Sequence, residues 1–329
     1  QDRPMSPTLY LAPLRGFTNA VYRNVFSRFF DGFDLAVAPF IPTTESRRVR
    51  DCHIRDVLPE NNRHMPVVPQ LIGNVPGDFL RMAERLSGLG YSAFNWNLGC
   101  PFPMVAKKCR GSGMLPHPDR IDDFLEKVMP KIPGELSVKA RLGRYSREEI
   151  FRLIPVFNRY PLKEVILHPR TGVQMYGGRP DLDTFGICLE ALRHPVVYNG
   201  DIRRPADFTA LSGQFPEVER WMIGRGALTN PFLPGVIKTG QDAFSDRIDR
   251  FRRFHDALFD AYREVFSGPA HLVERMKGFW VYFSESFEDS PRFLKQIRKL
   301  RSPERYMERT ARFFESEAVW RDAPFTAFK

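Results

Sequence analysis

Over the first 240 residues, short apolar, β-branched segments recur eight times, each preceded by a charged amphipathic stretch and closed by turn residues. Nothing else in the chain constrains the fold as strongly, because this rhythm is that of βα units. Strands are expected at 8–12, 35–38, 67–72, 93–97, 136–141, 164–168, 196–199 and 221–224, with helical patterns over 78–89, 121–129, 147–157, 182–192 and 206–211. Eight such strands could form an open doubly wound sheet or a closed barrel. A doubly wound dinucleotide fold needs a glycine-rich turn after its first strand, and none follows residue 12. The expectation is therefore an α/β fold, a (β/α)8 TIM barrel, with its chemistry at the C-terminal ends of the strands.

From residue 243 the strand signal stops and helical spacing replaces it. Phe251, Phe254, Leu258, Tyr262 and Val265 lie three or four apart, followed by Leu272, Met276, Phe279, Phe283 and Phe287. The expected division is a catalytic barrel over 1–242 and a small all-helical domain over 243–329. The chain carries 49 Lys+Arg against 39 Asp+Glu, a formal charge of +10. Ten surplus cations permit an anionic partner without naming one. The concentrated part is 292–312, where eight Lys+Arg stand against Glu304 and Glu308. Phe293, Ile297 and Leu300 mark a buried stripe there, so the segment is read as helical, its cations either a solvated face or a nucleic-acid contact.

The strand ends form a polar set. Ala12 and Pro13 close the first strand, Gln70 lies in the third, Asn97 closes the fourth, Lys139 and Arg141 lie in the fifth, and His168 closes the sixth. Taken singly, a strand-end Gln or Asn ordinarily caps a helix and a Lys ordinarily faces water. In a barrel they converge on one mouth. The last two turns, Asn199-Gly200-Asp201 and Gly224-Arg225-Gly226, stand where barrels often bind a phosphate with backbone N–H groups. A phosphate-bearing cofactor is expected there, faced by Lys139. The turn after the fourth strand sets Cys100 between Gly99 and Pro101; its thiol could be a nucleophile, a general acid or an inert buried group. Cys109, in a Lys-Lys-Cys-Arg context, is a rival without a strand end to fix it. The remaining histidines, His53, His64, His117, His194, His255 and His271, are read as surface or capping residues.

Four cysteines without C-x-x-C spacing argue against a disulfide framework or zinc, so no metal is expected. No apolar run approaches the roughly 20 residues that span a bilayer, and the first residues lack the pattern of a secretory signal. A cytoplasmic protein without membrane contact is expected.

With these residues in hand, the chain resembles the dihydrouridine synthases, FMN enzymes that reduce uridine in tRNA. The resemblance rests on LAPLRGFTN (11–19), QLIG (70–73), NLGCP (97–101), GSGML (111–115), SVKARLG (137–143), HPRTGVQMYGG (168–178), NGDI (199–202) and IGRGAL (223–228), in the family's order. It departs from the family's usual motifs at LAPLRG and HPRTG. The resemblance implies that Cys100 is the proton donor, which makes Cys109 dispensable. It also places flavin contacts at Ala12, Pro13, Leu14, Gln70, Lys139, His168, Asn199, Gly200, Asp201, Gly224 and Arg225. Asn97, Arg141 and Arg170 would lie near the uracil. Arg298, Lys299 and Arg301 of the helical domain, with Arg203 and Arg204, would meet RNA phosphates. NADPH is the expected reductant, tRNA the expected partner, and a monomer the expected state. Two other readings follow from the same residues: an FMN barrel acting on a free pyrimidine, in the manner of dihydroorotate dehydrogenases, and an RNA-binding scaffold without catalysis.

Overall fold

A computed structural model of the chain describes residues 6–44, 51–242, 244–288 and 290–321. Its core is a ring of parallel strands: β1 (Thr8–Leu11), β2 (Leu35–Val37), β3 (Val67–Val68 and Gln70–Ile72, either side of Pro69), β4 (Ala93–Leu98), β5 (Glu135–Gly143), β6 (Val165–Thr171), β7 (Val196–Tyr198) and β8 (Arg220–Ile223). Consecutive strands are neighbours, and β8 returns to β1 with Leu11 opposite Ile223. Pro69 has no N–H and splits β3. Its first half pairs with β2 and its second half with β4, so one stretch of chain bridges the two ends of the strand order and the ring closes. After a short break the β2 chain resumes as Ile41–Pro42 against Leu71 and Ile72. The eight expected strands are all present, making this a TIM barrel, with β5 and β6 running two and three residues further than their apolar runs suggest.

Between the strands lie the expected helices, Pro76–Ser87, Pro118–Val128, Glu149–Phe157, Leu182–Ala191 and Pro205–Gln214. Tyr10, Ala12, Val37, Ile166, Val197 and Met222 make a small separate cluster within the ring. Near its N-terminal end Tyr10 Oη donates to Glu164 Oε2 at 2.9 Å, and Arg220 pairs with the same oxygen at 3.2 Å. With the floor filled, open space is left at the opposite, C-terminal mouth.

Among the described residues four α-helices follow: Arg247–Arg263, Pro269–Phe283, Ser290–Ile297 and Pro303–Ser316. Residue 243, the expected boundary, lies outside the described residues. The helices beyond it share one hydrophobic cluster with the outer layer of the barrel. Tyr22 of the first barrel helix (Ala20–Phe29) stacks on Phe279 with ring centres 5.7 Å apart, and Phe254 packs edge-on against Phe30. Burying such rings stabilises by about 1.5–3 kcal/mol each. Tyr262 Oη donates to Asn19 Oδ1 at 2.8 Å, and Arg275 donates to the carbonyl of Gly16, so the loop after β1 is fastened to the helices.

Three expectations need correction here. Val265 does not continue the apolar stripe, because the helix ends at Arg263 and leaves it exposed. His255 is neither surface nor cap. It is fully buried beside Phe254, with Nδ1 bonded to Asp256 and Nε2 to Tyr306 Oη, which also accepts from Trp280 Nε1. The basic segment 292–312 is two helices rather than one, broken before Pro303, with Ser302 capping the second.

Candidate active site

Parallel register explains how residues far apart in sequence meet at the mouth. Asn97 is opposite Lys139 across β4 and β5, and Arg141 is opposite His168 across β5 and β6. The loops after β1, β4, β7 and β8 complete a cleft of about 840 Å3 of open space. Of the sequence-derived set, Ala12, Pro13, Leu14, Asn97, Cys100, Lys139, Arg141, His168, Asn199, Gly200, Asp201, Gly224 and Arg225 all line it. Arg15, Phe40, Phe102, Tyr176 and Arg203 line it too. Sequence reading had not singled out the first four as site residues, although Tyr176 lies inside the turn that begins at His168.

Cys100 is held from both sides. Asn97 Oδ1 accepts from the N–H groups of Gly99 and Cys100 at 3.1 and 2.8 Å, which fixes the turn. The Cys100 carbonyl accepts from the N–H and hydroxyl of Ser112 at 3.0 and 2.9 Å. Gly111 has φ +56, and a Cβ there would lie 2.8 Å from Cys100 Cβ, so only glycine lets this turn close over the cysteine. Burial raises the Cys100 thiol pKa, against the opposing pull of Arg141, Arg15 and Lys139. The thiol is therefore protonated at neutral pH, as a proton donor requires.

Among the described residues five cationic side chains line the cleft, Arg15, Lys139, Arg141, Arg203 and Arg225, against one carboxylate, Asp201. Lys139 has no hydrogen bond or ion pair among the described residues, and burial, aided by Arg141, pushes its pKa down to about 7. Arg141 is buried, donates to the carbonyls of Gly99 and Thr171, and is pushed down to about 10, chiefly by burial. His168 is held well below its usual value by burial and by the surrounding Arg141, Lys139, Arg170 and Arg225, so it is neutral. Arg170 can only donate, so the 3.1 Å contact between its guanidinium and His168 Nε2 leaves the ring proton on Nδ1.

The phosphate-type turns adjoin as expected. Asn199 Nδ2 donates to the Met222 carbonyl at 3.0 Å, tying the end of β7 to β8. A Cβ on Gly226 would lie 2.0 Å from the Ile202 carbonyl, so glycine is needed where the two turns touch. The short helix Arg225–Thr229 begins at this point, and its first N–H groups have no helical acceptor. Lys139, half-buried and without a hydrogen bond or ion pair among the described residues, joins Arg225 and these amides in a donor set suited to a phosphate-bearing anionic cofactor.

Two predicted contacts lie elsewhere. Gln70 is fully buried behind the lining; its Oε1 accepts from Asn97 at 2.8 Å and its Nε2 donates to Asn95 at 2.7 Å, so it steadies Asn97. Arg170 does not face the cleft. All five of its N–H groups have acceptors: the Gly177 and Gly178 carbonyls, His168 and both oxygens of Asp201. Asp201 also accepts from Arg225 at 2.7 Å, so Arg170 acts as a buried brace beneath the cationic wall. Arg203 and Arg204 are likewise not a phosphate-facing pair on the surface. Arg203 lines the cleft, paired with Glu285 at 3.2 Å, and Arg204 pairs with Asp207 at 2.6 Å. Arg298, Lys299 and Arg301 lie between the last two helices, exposed and without ion pairs among the described residues, whereas Arg309 pairs with Glu317 at 2.7 Å.

Among the described residues no group of three or more His, Cys, Asp or Glu could hold a metal, and no helix is long and apolar enough to cross a membrane. Fold and lining together describe a TIM barrel whose cation-rich cleft holds a buried cysteine at its C-terminal mouth. A family model described as "Dihydrouridine synthase (Dus)" matches residues 10–317, and the chain belongs to that family of oxidoreductases. It is 25% identical over 236 residues to tRNA-dihydrouridine synthase B of Pasteurella multocida, covering 70% of this chain and 69% of that one. It is also 25% identical over 323 residues to a probable tRNA-dihydrouridine synthase of Rickettsia conorii, covering 95% of each. The fold resembles that of an old yellow enzyme homologue from Zymomonas mobilis, with a TM-score of 0.52 at 12% identity, covering 74% of this chain and 91% of that one.

Proposed function

We propose that the protein reduces a uridine of tRNA to 5,6-dihydrouridine, with FMN in the cleft and NADPH as reductant. The observation that carries this reading is Cys100, fixed by Asn97 and Ser112 on the wall of a cationic cleft in a dihydrouridine synthase barrel. When bound, FMN supplies the hydride that adds to carbon 6 of the uracil. Cys100 Sγ–H delivers the proton to carbon 5, and Asn97 holds it there through the backbone N–H groups of residues 99 and 100. Lys139 and Arg225 would face the cofactor's negative charge, and the neutral His168 would offer Nδ1–H as a donor. The helical part after the barrel would carry RNA, with Arg298, Lys299 and Arg301 against backbone phosphates. The test is single-turnover reoxidation of the reduced holoenzyme. Unmodified tRNA should reoxidise the flavin and free orotate should not; the reverse result would assign the site to a free pyrimidine.

Lys139 gives the site a pH dependence. With its pKa near 7, the ammonium is lost as pH rises through neutrality, so FMN binding to the apoprotein should weaken between about pH 7 and 9. Lys139→Met should bind FMN weakly and without that slope, as followed by flavin fluorescence. A wild-type affinity independent of pH would remove Lys139 from the cofactor site. Affinity for tRNA should fall steeply with salt. Replacing Arg298, Lys299 and Arg301 by Ala should reduce the slope of log K against log salt by about 2–3, roughly one per lost phosphate contact. An unchanged slope would take the RNA away from this segment.

A further inference from the structure

The loops after β4, β5 and β6 carry an unusual share of the exposed apolar surface. Phe102 and Met104, Tyr145, and Val173 lie in these three loops, with Met104 84% and Tyr145 68% exposed. Scattered exposed hydrophobes are ordinary, but a group at one site marks a contact surface. Here Arg144 gathers them. Its guanidinium donates to the Pro101 carbonyl at 2.8 Å and to Ser112 Oγ at 3.2 Å, and its carbonyl accepts from the Val173 N–H at 3.0 Å. The same guanidinium lies 5.8 Å from the centre of the Tyr145 ring. Phe102, Tyr145 and Val173 therefore each belong to, or directly adjoin, a residue that Arg144 touches. Lys107 and Lys108, exposed and without ion pairs among the described residues, follow Met104 closely in the chain.

We propose that this rim is a stacking platform for the unpaired nucleotides that flank the target base, with Tyr145 and Phe102 as the stacking rings and Lys107 and Lys108 on the backbone phosphates. The proposal rests on the RNA-directed reading above. An apolar patch alone would equally fit a protein partner. Charge and position favour a single strand of RNA, because the Arg144 guanidinium lies against the Tyr145 ring and Phe102 lines the same cleft as Cys100. Aromatic rings beside cations bind single strands largely without regard to sequence, since every base has a face to stack. The platform explains how a base already turned out of its helix could be held by its neighbours while the cleft engages it.

The test uses the FMN-loaded full chain and two fluorescein-labelled single-stranded probes of equal length: an oligouridylate, and a strand with one uracil flanked by abasic riboses. Backbone charge is the same in both, so they differ only in the flanking bases, and the Tyr145 variants separate stacking from hydrogen bonding. By anisotropy, the wild type should bind the base-bearing strand roughly 5- to 100-fold more tightly. Tyr145→Ala should lose a large part of this preference and Tyr145→Phe should keep it, with flavin content of each variant as the check on folding. Equal binding of both strands by the wild type, no binding of either, or an undiminished preference in Tyr145→Ala would overturn the platform. A wild type that reduces tRNA without the preference overturns the platform alone. One that shows a Tyr145-dependent preference but reduces no RNA keeps the platform and overturns the reductase reading.

Discussion

Cys100→Ala should lower the rate of dihydrouridine formation by about 10²–10⁴-fold, the usual worth of a positioned general acid, while flavin stays bound. The side chain reaches the cleft, and its backbone contacts to Asn97 and Ser112 do not depend on sulfur. Removal should therefore spare the turn and delete only the proton. Because burial favours the S–H form, Cys100 can donate at neutral pH without first taking a proton from a neighbouring group. Cys109→Ala is the matched control. Cys109 lies outside the cleft lining, where its sulfur contacts Arg120 and the Gly113 carbonyl at 3.5 and 3.7 Å. Its replacement should leave turnover within about two-fold of wild type, since no general-acid contribution is lost. Normal turnover in Cys100→Ala, or equal losses in both variants, would contradict the assignment.

Arg170→Ala should be the most damaging substitution for stability. It would leave two backbone carbonyls without donors and a half-buried carboxylate, Asp201, deprived of its closer partner at 2.5 Å. Removing one member of a fully buried ion pair costs about 3–5 kcal/mol, and the loss here should fall at or below the low end because Asp201 is partly exposed and keeps Arg225. Asp201, which also holds Arg225, would no longer be braced from behind, so the cleft wall should loosen and the variant should also release flavin. Arg170→Lys should rescue little, because an ammonium offers three donors from one point where five in a planar fork are used. A denaturation midpoint close to wild type, with flavin retained in Arg170→Ala, would show that the brace is dispensable.

The fold was legible because strand periodicity survives in every βα unit, and even Pro69, which splits β3, falls inside an expected strand. Most of the cleft lining was legible because barrel topology brings strand ends together wherever their register lies. What could not be read was how each side chain is engaged. Arg170 and Arg141 are both arginines near strand ends, yet one points behind the wall with every donor occupied and the other into the cleft, a difference set by three-dimensional packing. Gln70 lies in a strand as expected, but its amide is committed to Asn95 and Asn97, which only pairing with β4 reveals. Arg203 was grouped with Arg204 by adjacency, whereas Glu285, 82 positions away, draws it into the site. His255 sits one step from an apolar stripe position, and its burial depends on a hydroxyl 51 residues distant.

Hydrogenation of a uridine in RNA by this barrel can be read directly from the mass of the product. The most direct measurement is nucleoside mass spectrometry of an unmodified tRNA transcript incubated with the purified protein, FMN and NADPH. The account predicts that a uridine gains two hydrogens with the wild type and not with Cys100→Ala. Uridine left unchanged across unmodified tRNA transcripts by protein that has taken up flavin would contradict it.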